Sequence, residues 1–452
     1  MNHSGSFWRR SLLVMALSGC EFPELDDPDS PNIPDSPNVP DPPGCEWPHP
    51  DDEPAPCPIP KSVTLFSDEV VAYEHLGFSV AAADGSVAIG AKDSNRAGAV
   101  QSGAVVVFAR DPDGAWRQSD VLTSHEAEAG DNFGFSIALS GKFLAVGAPF
   151  STVHGVQTGA VYIFERNIDG HWTESAILSP PHGHAFDLVG YSIAIDGERI
   201  IIGAFQAGDE HQGAAFVYER DGFAWRLDAA LQADDGVRAA RFGSSVAILG
   251  NRVLIGAPSD SHLAPAAGSA YVFERDARGW HQKFKLMAED AARADFFGSS
   301  VALSQNTAAV GAPYKMNGAG SAVGAVYVFR EMGAGWERQR KIVPPDAASG
   351  DAFGISISLL DNVLAIGSPR NDDAGSIYVY QQEEDEWRQL RKLQQSESLQ
   401  NNEYGLAVML SDDGSVVAGA WLAGSSEPET GAVEISELPC SQRWKSVSAA
   451  GR

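Results

Sequence analysis

One unit of about 55 residues occurs seven times in this chain, and no other feature constrains its fold as strongly. Each copy contains two glycines at a fixed spacing. The first glycine follows an aromatic or aliphatic residue, at Gly77, Gly134, Gly190, Gly243, Gly298, Gly354 and Gly405. The second opens a Gly-Ala-Pro-like triplet, at Gly90, Gly147, Gly203, Gly256, Gly311, Gly367 and Gly419. The spacing is thirteen residues in six copies and fourteen in the last, so the copies are true repeats.

Each copy predicts four short β-strands. In the second copy, SIALS and FLAVGA flank Ser140-Gly141-Lys142, which is a tight hairpin signal. The segment 159–164 (GAVYIF) is rich in β-branched and aromatic residues and predicts a third strand. A turn at Asp169-Gly170 leads to Trp172 and to a fourth strand that ends near Leu178. Four strands per unit predict an all-β, seven-bladed propeller with one blade per repeat.

The repeat resembles the FG-GAP repeat family, the units of the integrin α-subunit head. The resemblance rests on pairs such as Phe133-Gly134 and Phe297-Gly298 and on triplets such as Gly147-Ala148-Pro149, and it covers roughly residues 61–436. It implies a seven-bladed propeller. A WD40 array is excluded because it would show a period of about 40–45 residues and Trp-Asp ends. Single copies depart from the pattern, for example at Val189-Gly190, without weakening the array.

The ends of the repeat array predict how the ring closes. In six copies a Trp stands six residues before an apolar residue, which lies twelve residues before the first glycine, as in Trp116, Leu122 and Gly134. Leu65 has this distance to Gly77, so residues 61–66 predict a fourth strand with no blade before it. We expect this strand to complete the last blade, which protects its edge. The alternative uses residues 444–447 as the last blade's own strand.

Residues 1–20 predict a targeting segment that is not part of the fold. Arg9-Arg10 precedes a short apolar core, and Leu17-Ser18-Gly19-Cys20 resembles a bacterial lipobox. This resemblance implies lipidation of Cys20 and an exported protein in the outer membrane or at the cell surface. A plain secretory signal, or a chance cysteine after an apolar run, is the alternative. The lipid would be the sole contact with the membrane.

Residues 21–60 predict a low-complexity tether, residues 61–440 the propeller and residues 441–452 a C-terminal tail. The tether contains 11 acidic residues and no Lys or Arg, and DSPNIP at 29–34 repeats as DSPNVP at 35–40. Such a segment cannot bury a core and should be an extended spacer; a segment without any role is the alternative. The net charge of the whole chain, −28, argues against nucleic acid and anionic lipid as partners.

The remaining cysteines are Cys45, Cys57 and Cys440. Aligned on the repeat, Cys57 and Cys440 fall at positions that face each other across a hairpin turn. A disulfide between them is therefore a geometrically sound hypothesis, and export would supply an oxidising compartment. Cys45–Cys57 is the alternative pairing.

Metal, cofactor and catalytic sites are not predicted. The family's calcium loop has the form Asp-x-Asp-x-Asp-Gly, whereas the corresponding loops here contain at most two carboxylates. The resemblance therefore does not imply a calcium site in this chain. His182 and His184 lack a third metal ligand in the sequence. No Ser-His-Asp, paired-acid or phosphate-loop pattern occurs, and the first strands contain almost no catalytic side chains.

Two sets of residues are candidates for ligand binding. Five of the seven copies have an acid three residues before the first glycine, and we single out Asp131, Asp187, Asp295 and Asp351. They predict either an acidic rim for a basic ligand or simple turn caps. The loops between second and third strands vary most, which is typical of binding surfaces. Their candidate anchors are Phe150, Tyr314, Arg370 and Trp421, because aromatics and Arg dominate interface hot spots; ordinary packing is the alternative.

These features favour a non-catalytic binding or adhesion module that is monomeric and presents its loops to an extracellular or envelope protein or glycan. A periplasmic scaffold lipoprotein is the second hypothesis. An enzyme with a site at the centre of the ring is the third.

Overall fold

The computed structural model describes residues 61–69, 71–333, 335–395, 402–423 and 429–438. These residues form seven four-stranded antiparallel sheets arranged in a ring. The chain is thus a seven-bladed β-propeller, as the repeat predicts, and the only helical element described is the 3-10 turn Asn371–Asp373. Among the described residues, no helix has the length and apolarity needed to cross a bilayer.

Each blade uses four strands, and β1 (Ser62–Leu65), the first strand described, precedes the strands of blade 1. Blade 1 comprises β2 (Ser79–Ala83), β3 (Ser86–Ala91), β4 (Ala104–Arg110) and β5 (Trp116–Leu122). Blade 2 comprises β6 (Ser136–Ser140), β7 (Phe143–Ala148), β8 (Ala160–Arg166) and β9 (Trp172–Leu178). Blade 3 comprises β10 (Ser192–Asp196), β11 (Arg199–Ala204), β12 (Ala214–Asp221) and β13 (Ala224–Leu231). Blade 4 comprises β14 (Ser245–Leu249), β15 (Arg252–Ala257), β16 (Ser269–Asp276) and β17 (Gly279–Leu286).

Blade 5 comprises β18 (Ser300–Ser304), β19 (Thr307–Ala312), β20 (Ala325–Met332) and β21 (Gly335–Ile342). Blade 6 comprises β22 (Ile357–Leu360), β23 (Val363–Ser368), β24 (Ser376–Glu383) and β25 (Glu386–Gln394). Blade 7 comprises β26 (Val408–Leu410), β27 (Ser415–Ala420), β28 (Ala432–Glu437) and β1.

The first strands of neighbouring blades lie next to one another around the ring, from β2 through β6, β10, β14, β18 and β22 to β26 and back to β2. Consecutive strands are antiparallel, so the connections alternate between the two faces of the ring. The blade-linking segments and the loops between second and third strands share one face, which we call the loop face. The first–second and third–fourth hairpins share the other, the hairpin face.

The ring closes through the first strand of the chain. Strand β1 pairs antiparallel with β28, with Ser62 opposite Ser436 and Leu65 opposite Val433. This confirms the prediction that the N-terminal strand completes the last blade. Strand β1 occupies the outer position that the alternative gave to residues 444–447, which lie outside the described residues.

The hydrophobic core lies between blades rather than within them. The cluster between blades 1 and 2 joins Val105 and Val107 to Phe133 and Tyr162, and similar clusters lie at the other junctions. Second strands such as FLAVGA are buried along their whole length, because each of their faces packs against a different neighbouring blade. Burial of both faces explains why the sequences of these strands are continuous runs of apolar residues.

The paired glycines are needed where blades touch. A Cβ placed on Gly147 would lie 2.1 Å from the carbonyl oxygen of Gly190 in the next blade, which no side chain tolerates. Gly134 adopts φ +90, a conformation that side chains rarely take. The two glycines of each repeat therefore lie at the contact between successive blades, which is the crowding that the repeat pattern predicts.

A serine two residues after the first glycine joins six of the seven blade junctions. Its hydroxyl donates to the first glycine's carbonyl oxygen in the next blade at 2.7–2.9 Å, for Ser79, Ser136, Ser192, Ser245, Ser300 and Ser356. At the junction between blades 7 and 1 the equivalent residue is Ala407. The ring therefore lacks one of these hydrogen bonds where it closes.

The signal segment, the tether and all four cysteines lie outside the described residues. Lipidation of Cys20 and a disulfide between Cys57 and Cys440 therefore stay predictions from the sequence.

Candidate binding site on the loop face

Five aromatic side chains form a continuous row on the loop face, which we call the aromatic arc. It runs from Trp421 through Phe78, Phe135 and Tyr191 to Phe205, across blades 7, 1, 2 and 3. Three of these residues directly follow the first glycine of their repeat. The same position in the other blades is aliphatic or small, at Ser244, Ser299, Ile355 and Leu406. The arc therefore breaks the sevenfold symmetry of the ring.

Neighbouring rings of the arc are in edge or tilted contact. The ring centroids are 5.7 Å apart for Trp421 and Phe78, and 5.1 Å apart for Phe78 and Phe135. They are 4.9 Å apart for Phe135 and Tyr191 and 4.4 Å for Tyr191 and Phe205. These are favourable aromatic distances. Every side chain of the arc except Phe205 is only half-buried, so the arc keeps aromatic surface in contact with solvent.

Two cations accompany the arc. The Lys92 ammonium lies 4.8 Å from the ring centroid of Phe78 and 5.7 Å from that of Trp421. The Arg241 guanidinium lies 5.7 Å from the ring of Phe205 at the other end of the arc. Both separations are within the range of cation–π attraction. The arc thus has a basic side chain near each of its ends, and one of them, Lys92, is also paired with Asp93.

A network of charged groups supports the Trp421 end of the arc. His75 Nδ1 lies 2.6 Å from a carboxylate oxygen of Asp93, and its Nε2 lies 3.0 Å from one of Glu429. Lys92 Nζ donates to the same Asp93 carboxylate at 2.5 Å. The hydrogen bond to Asp93 raises the pKa of His75 above its usual value, although burial opposes the shift. Burial raises the pKa of Asp93, but the hydrogen bonds from His75 and Lys92 outweigh it, so the pKa of Asp93 lies below its usual value.

The structure brings two of the four predicted loop anchors together. Trp421 Nε1 donates to a carboxylate oxygen of Glu403 at 3.0 Å, and Arg370 Nε lies 3.6 Å from the other oxygen of that carboxylate. The Arg370 side chain is 59% exposed. Trp421 is also part of the aromatic arc, so it is the predicted anchor with the most contacts to the site.

The other two anchors lie outside this group. Tyr314 is exposed on the loop face of blade 5 and packs against Phe296 with the ring centroids 5.5 Å apart. Phe150 is half-buried in blade 2, and its carbonyl oxygen accepts a hydrogen bond from Gln157 at 2.9 Å. A role of these residues in binding stays a prediction.

The four predicted acids are buried, with at most 5% of each residue exposed. Each carboxylate accepts a hydrogen bond from the backbone N–H three residues earlier at 2.7–2.8 Å, from Glu128 to Asp131, His184 to Asp187, Ala292 to Asp295 and Ala348 to Asp351. This geometry is that of a turn cap. Burial raises the pKa of Asp131 and of Asp187. The hypothesis that these acids bind a ligand stays untested.

In three blades the buried acid also has a partner from the loop between the second and third strands. Glu74 accepts from Ser94 at 2.7 Å, Asp295 from Lys315 at 2.7 Å and Asp351 from Asn371 at 2.9 Å. In blade 4 the acid lies in the loop instead. Ala240 stands where the other blades have the acid, and Asp260 stands where they have its partner. Asp260 then accepts from Tyr271 at 2.8 Å and pairs with Lys285 at 2.9 Å. In each of these four blades a buried acid thus holds the loop between the second and third strands in place.

Among the residues that the structure describes, no group of three or more His, Cys, Asp or Glu side chains is arranged to hold a metal ion. His182 and His184 gain no third ligand there.

Sequence reasoning missed most of the arc. The missed residues are Phe78, Phe135, Tyr191 and Phe205, together with the supporting residues His75, Lys92 and Glu403. A signal was present in the repeat, since the residue after the first glycine is aromatic in the first three copies and in no other.

Comparison with known proteins agrees with the fold. The molecule is a repeat-built propeller with its variable loops on one face. The FG-GAP repeat profile matches residues 116–164, 172–218, 225–273, 280–329 and 336–380, which together make up more than half of the chain. The chain therefore belongs to the FG-GAP repeat family. Each matched range begins in the fourth strand of one blade and ends in the third strand of the next.

No curated protein matches the chain. Among solved structures, the chain is similar to one titled "Crystal Structure of Mitotic Checkpoint Complex", with 13% identity and a TM-score of 0.52. The match covers 87% of this chain and 99% of the other. At this identity the similarity is one of fold alone.

Proposed function

We propose that this propeller is a non-catalytic binding module, and that the aromatic arc with Lys92 and Arg241 is the centre of its binding surface. The observation that carries the proposal is the arc itself. Half-buried aromatic side chains flanked by cations are the groups that dominate the energy of protein interfaces. They stand where the variable loops of blades 7, 1, 2 and 3 meet, on a rigid scaffold. The first strands support a non-catalytic role, since Asp196 is the one titratable residue among those described.

The partner in this proposal is an extracellular or envelope protein or glycan, bound by a monomer. A lipid anchor at Cys20 and an acidic tether would hold the propeller away from the outer membrane. The fold of the FG-GAP family fits a binding module. The specific role that we propose for this binding module is adhesion, which requires that the loop face be exposed at the cell surface.

Site-specific photo-cross-linking tests whether the loop face binds. A photoreactive amino acid would replace Tyr314 or Arg370 on the loop face, or Ile168, which is fully exposed on the hairpin face. We expect one discrete adduct from the loop-face positions in intact cells, and its loss when Trp421→Ala is added. Adducts from position 168 alone would contradict the proposal.

Protease shaving of intact cells tests the location. Digestion of the propeller while a periplasmic control protein survives would support adhesion at the surface. Protection until the outer membrane is breached would refute adhesion and favour the periplasmic scaffold.

A further inference from the structure

A second concave site on the loop face shares no lining residue with the aromatic arc, and we call it the blade 2 cleft. Its volume is about 650 Å³. One wall is the loop of blade 2 with Val153, His154 and Val156, and the opposite wall is the start of the segment that links blades 2 and 3, with Pro180 and Pro181. A cleft of this size is in the range of sites that hold ligands or peptide side chains.

The walls of the cleft are held by backbone hydrogen bonds. Val153 and Val156 exchange N–H···O bonds of 2.9 and 3.0 Å, which makes the loop a miniature hairpin with His154 and Gly155 at its tip. The Phe186 N–H donates to the carbonyl oxygen of Gln157 at 2.7 Å and ties the linking segment to this loop. The backbone of both walls is therefore held in place by hydrogen bonds.

The chemistry of the lining is aliphatic and acidic. Val153, Val156 and Ile177 supply the apolar surface together with the two prolines, while Thr158 and Ser179 supply hydroxyls. Glu126 is the one carboxylate in the lining and lies 3.7 Å from His125, which is outside the lining. His154 is the one histidine in the lining, which contains no Lys, Arg, Phe, Tyr or Trp. The absence of Phe, Tyr and Trp from this lining disfavours stacking on a sugar ring, and the absence of Lys and Arg disfavours an anionic ligand.

Charge also decides against one occupant from the same chain. Residues 21–60 contain 11 acids and no Lys or Arg, so their charge has the same sign as that of Glu126 and does not complement the cleft. A basic segment has the opposite property. Its aliphatic side chains match the valine and proline walls, and its ammonium or guanidinium group matches Glu126.

We propose that the blade 2 cleft binds a basic peptide segment in which aliphatic residues alternate with Lys or Arg. The aliphatic side chain enters between Val156 and Pro181, and the neighbouring cation lies at Glu126. This site is separate from the aromatic arc, so it does not depend on the function proposed for the arc.

Fluorescence anisotropy on the full chain tests the proposal with a labelled peptide of alternating lysine and leucine. Val156, which is 38% exposed, would be changed to Asp, and Val121, which is 39% exposed and outside the cleft lining, supplies the matched control Val121→Asp. A peptide of alternating glutamate and leucine tests charge, and one of alternating lysine and serine tests the need for aliphatic side chains.

We expect Val156→Asp to raise the Kd about tenfold or more, because it puts a charge on the apolar wall. Glu126→Gln should raise it roughly two- to fivefold, as for an exposed ion pair. Val121→Asp should leave the Kd within about twofold, a change of less than about 0.5 kcal/mol. Equal binding of the lysine–serine peptide, equal effects of Val156→Asp and Val121→Asp, or no binding of the lysine–leucine peptide would overturn the proposal. If only the function proposed for the aromatic arc is wrong, the peptide will still bind the cleft, but no cross-link will form from the loop-face positions.

Discussion

Trp421 packs against His75 with the ring centroids 4.9 Å apart, across the junction between the last and the first blade. This contact lies at the same junction that lacks the serine hydrogen bond found elsewhere in the ring. His75 also links Asp93 of blade 1 to Glu429 of blade 7 through its two ring nitrogens. The aromatic arc therefore begins at the junction between blades 7 and 1, where the His75 network links the two blades.

The His75 network should make the stability of the protein depend on pH. The pKa of His75 is raised in the folded state, so the charged ring stabilises fully below its unfolded pKa of 6.5. This contribution is lost as the pH rises through the folded pKa. The free energy of unfolding of the wild type, minus that of His75→Asn, should therefore be largest near pH 5.5–6 and decrease above pH 7 in urea titrations.

Asn suits position 75, where φ is +57. The control is His281→Asn, whose ring lies 3.2 Å from the exposed Asp276 on the hairpin face. Asp93, with its lowered pKa, stays ionised in this range and does not confuse the result. A difference for His75→Asn that is constant with pH would contradict this prediction.

Ala407→Ser should supply the missing serine hydrogen bond. The carbonyl oxygen of Gly77 lies against Gly419 much as the other acceptors lie against their glycines, so the acceptor is in place. We expect the free energy of unfolding to rise by about 0.5–1.5 kcal/mol, the net value of one hydrogen bond. Ser300→Ala, which removes the 2.7 Å bond to Gly354, should lower it by about 1–3 kcal/mol. Chemical denaturation of both variants checks the sign, and a loss of stability in Ala407→Ser would refute the prediction.

Gly147→Ala should be far more damaging than Gly141→Ala. The added methyl at position 147 would collide with backbone of the next blade at 2.1 Å, and this atom cannot move away without shifting a blade. At position 141 nothing lies within 4 Å, and the cost is only that of φ +56, about 1–2 kcal/mol. Thermal unfolding and soluble yield compare the two, with Gly147→Ala expected to be unfolded or insoluble. Similar melting temperatures would show that the junction is less tightly packed than we infer.

Glu434→Gln should stabilise the protein above pH 5. Glu434 is 5% exposed, its second carboxylate oxygen has no hydrogen-bond partner in the described part of the chain, and burial raises its pKa. The unfolded state ionises from pH 4.5 upward while the folded state keeps the proton, so the wild type loses stability relative to the variant until the folded pKa is reached.

The measurement for Glu434 is the difference in urea-unfolding free energy between wild type and Glu434→Gln at pH 4 and pH 8. We expect it to be close to zero at pH 4 and to favour the variant at pH 8. Glu437→Gln, next to the same strand end but partly exposed, is the control. An equal difference at the two pH values would contradict a raised pKa.

The repeat predicted the architecture well because each blade is specified locally. Glycine spacing, turn residues and apolar runs all lie within one copy, and the spacing of Trp116, Leu122 and Gly134 also located the strand that closes the ring. The site was predicted less well. Trp421 was named for its residue type, whereas Phe135 and Tyr191 were overlooked because they resemble ordinary core residues of a repeat.

The sequence by itself determined the number of blades, their four strands and the closure by β1, since periodic local patterns carry this information. Only the tertiary structure decided which side chains meet on the loop face. His75 and Glu429 are 354 residues apart, and the arc is assembled from four blades. Such contacts depend on ring closure, which brings the first and last blades together, and no pattern within a single repeat records them.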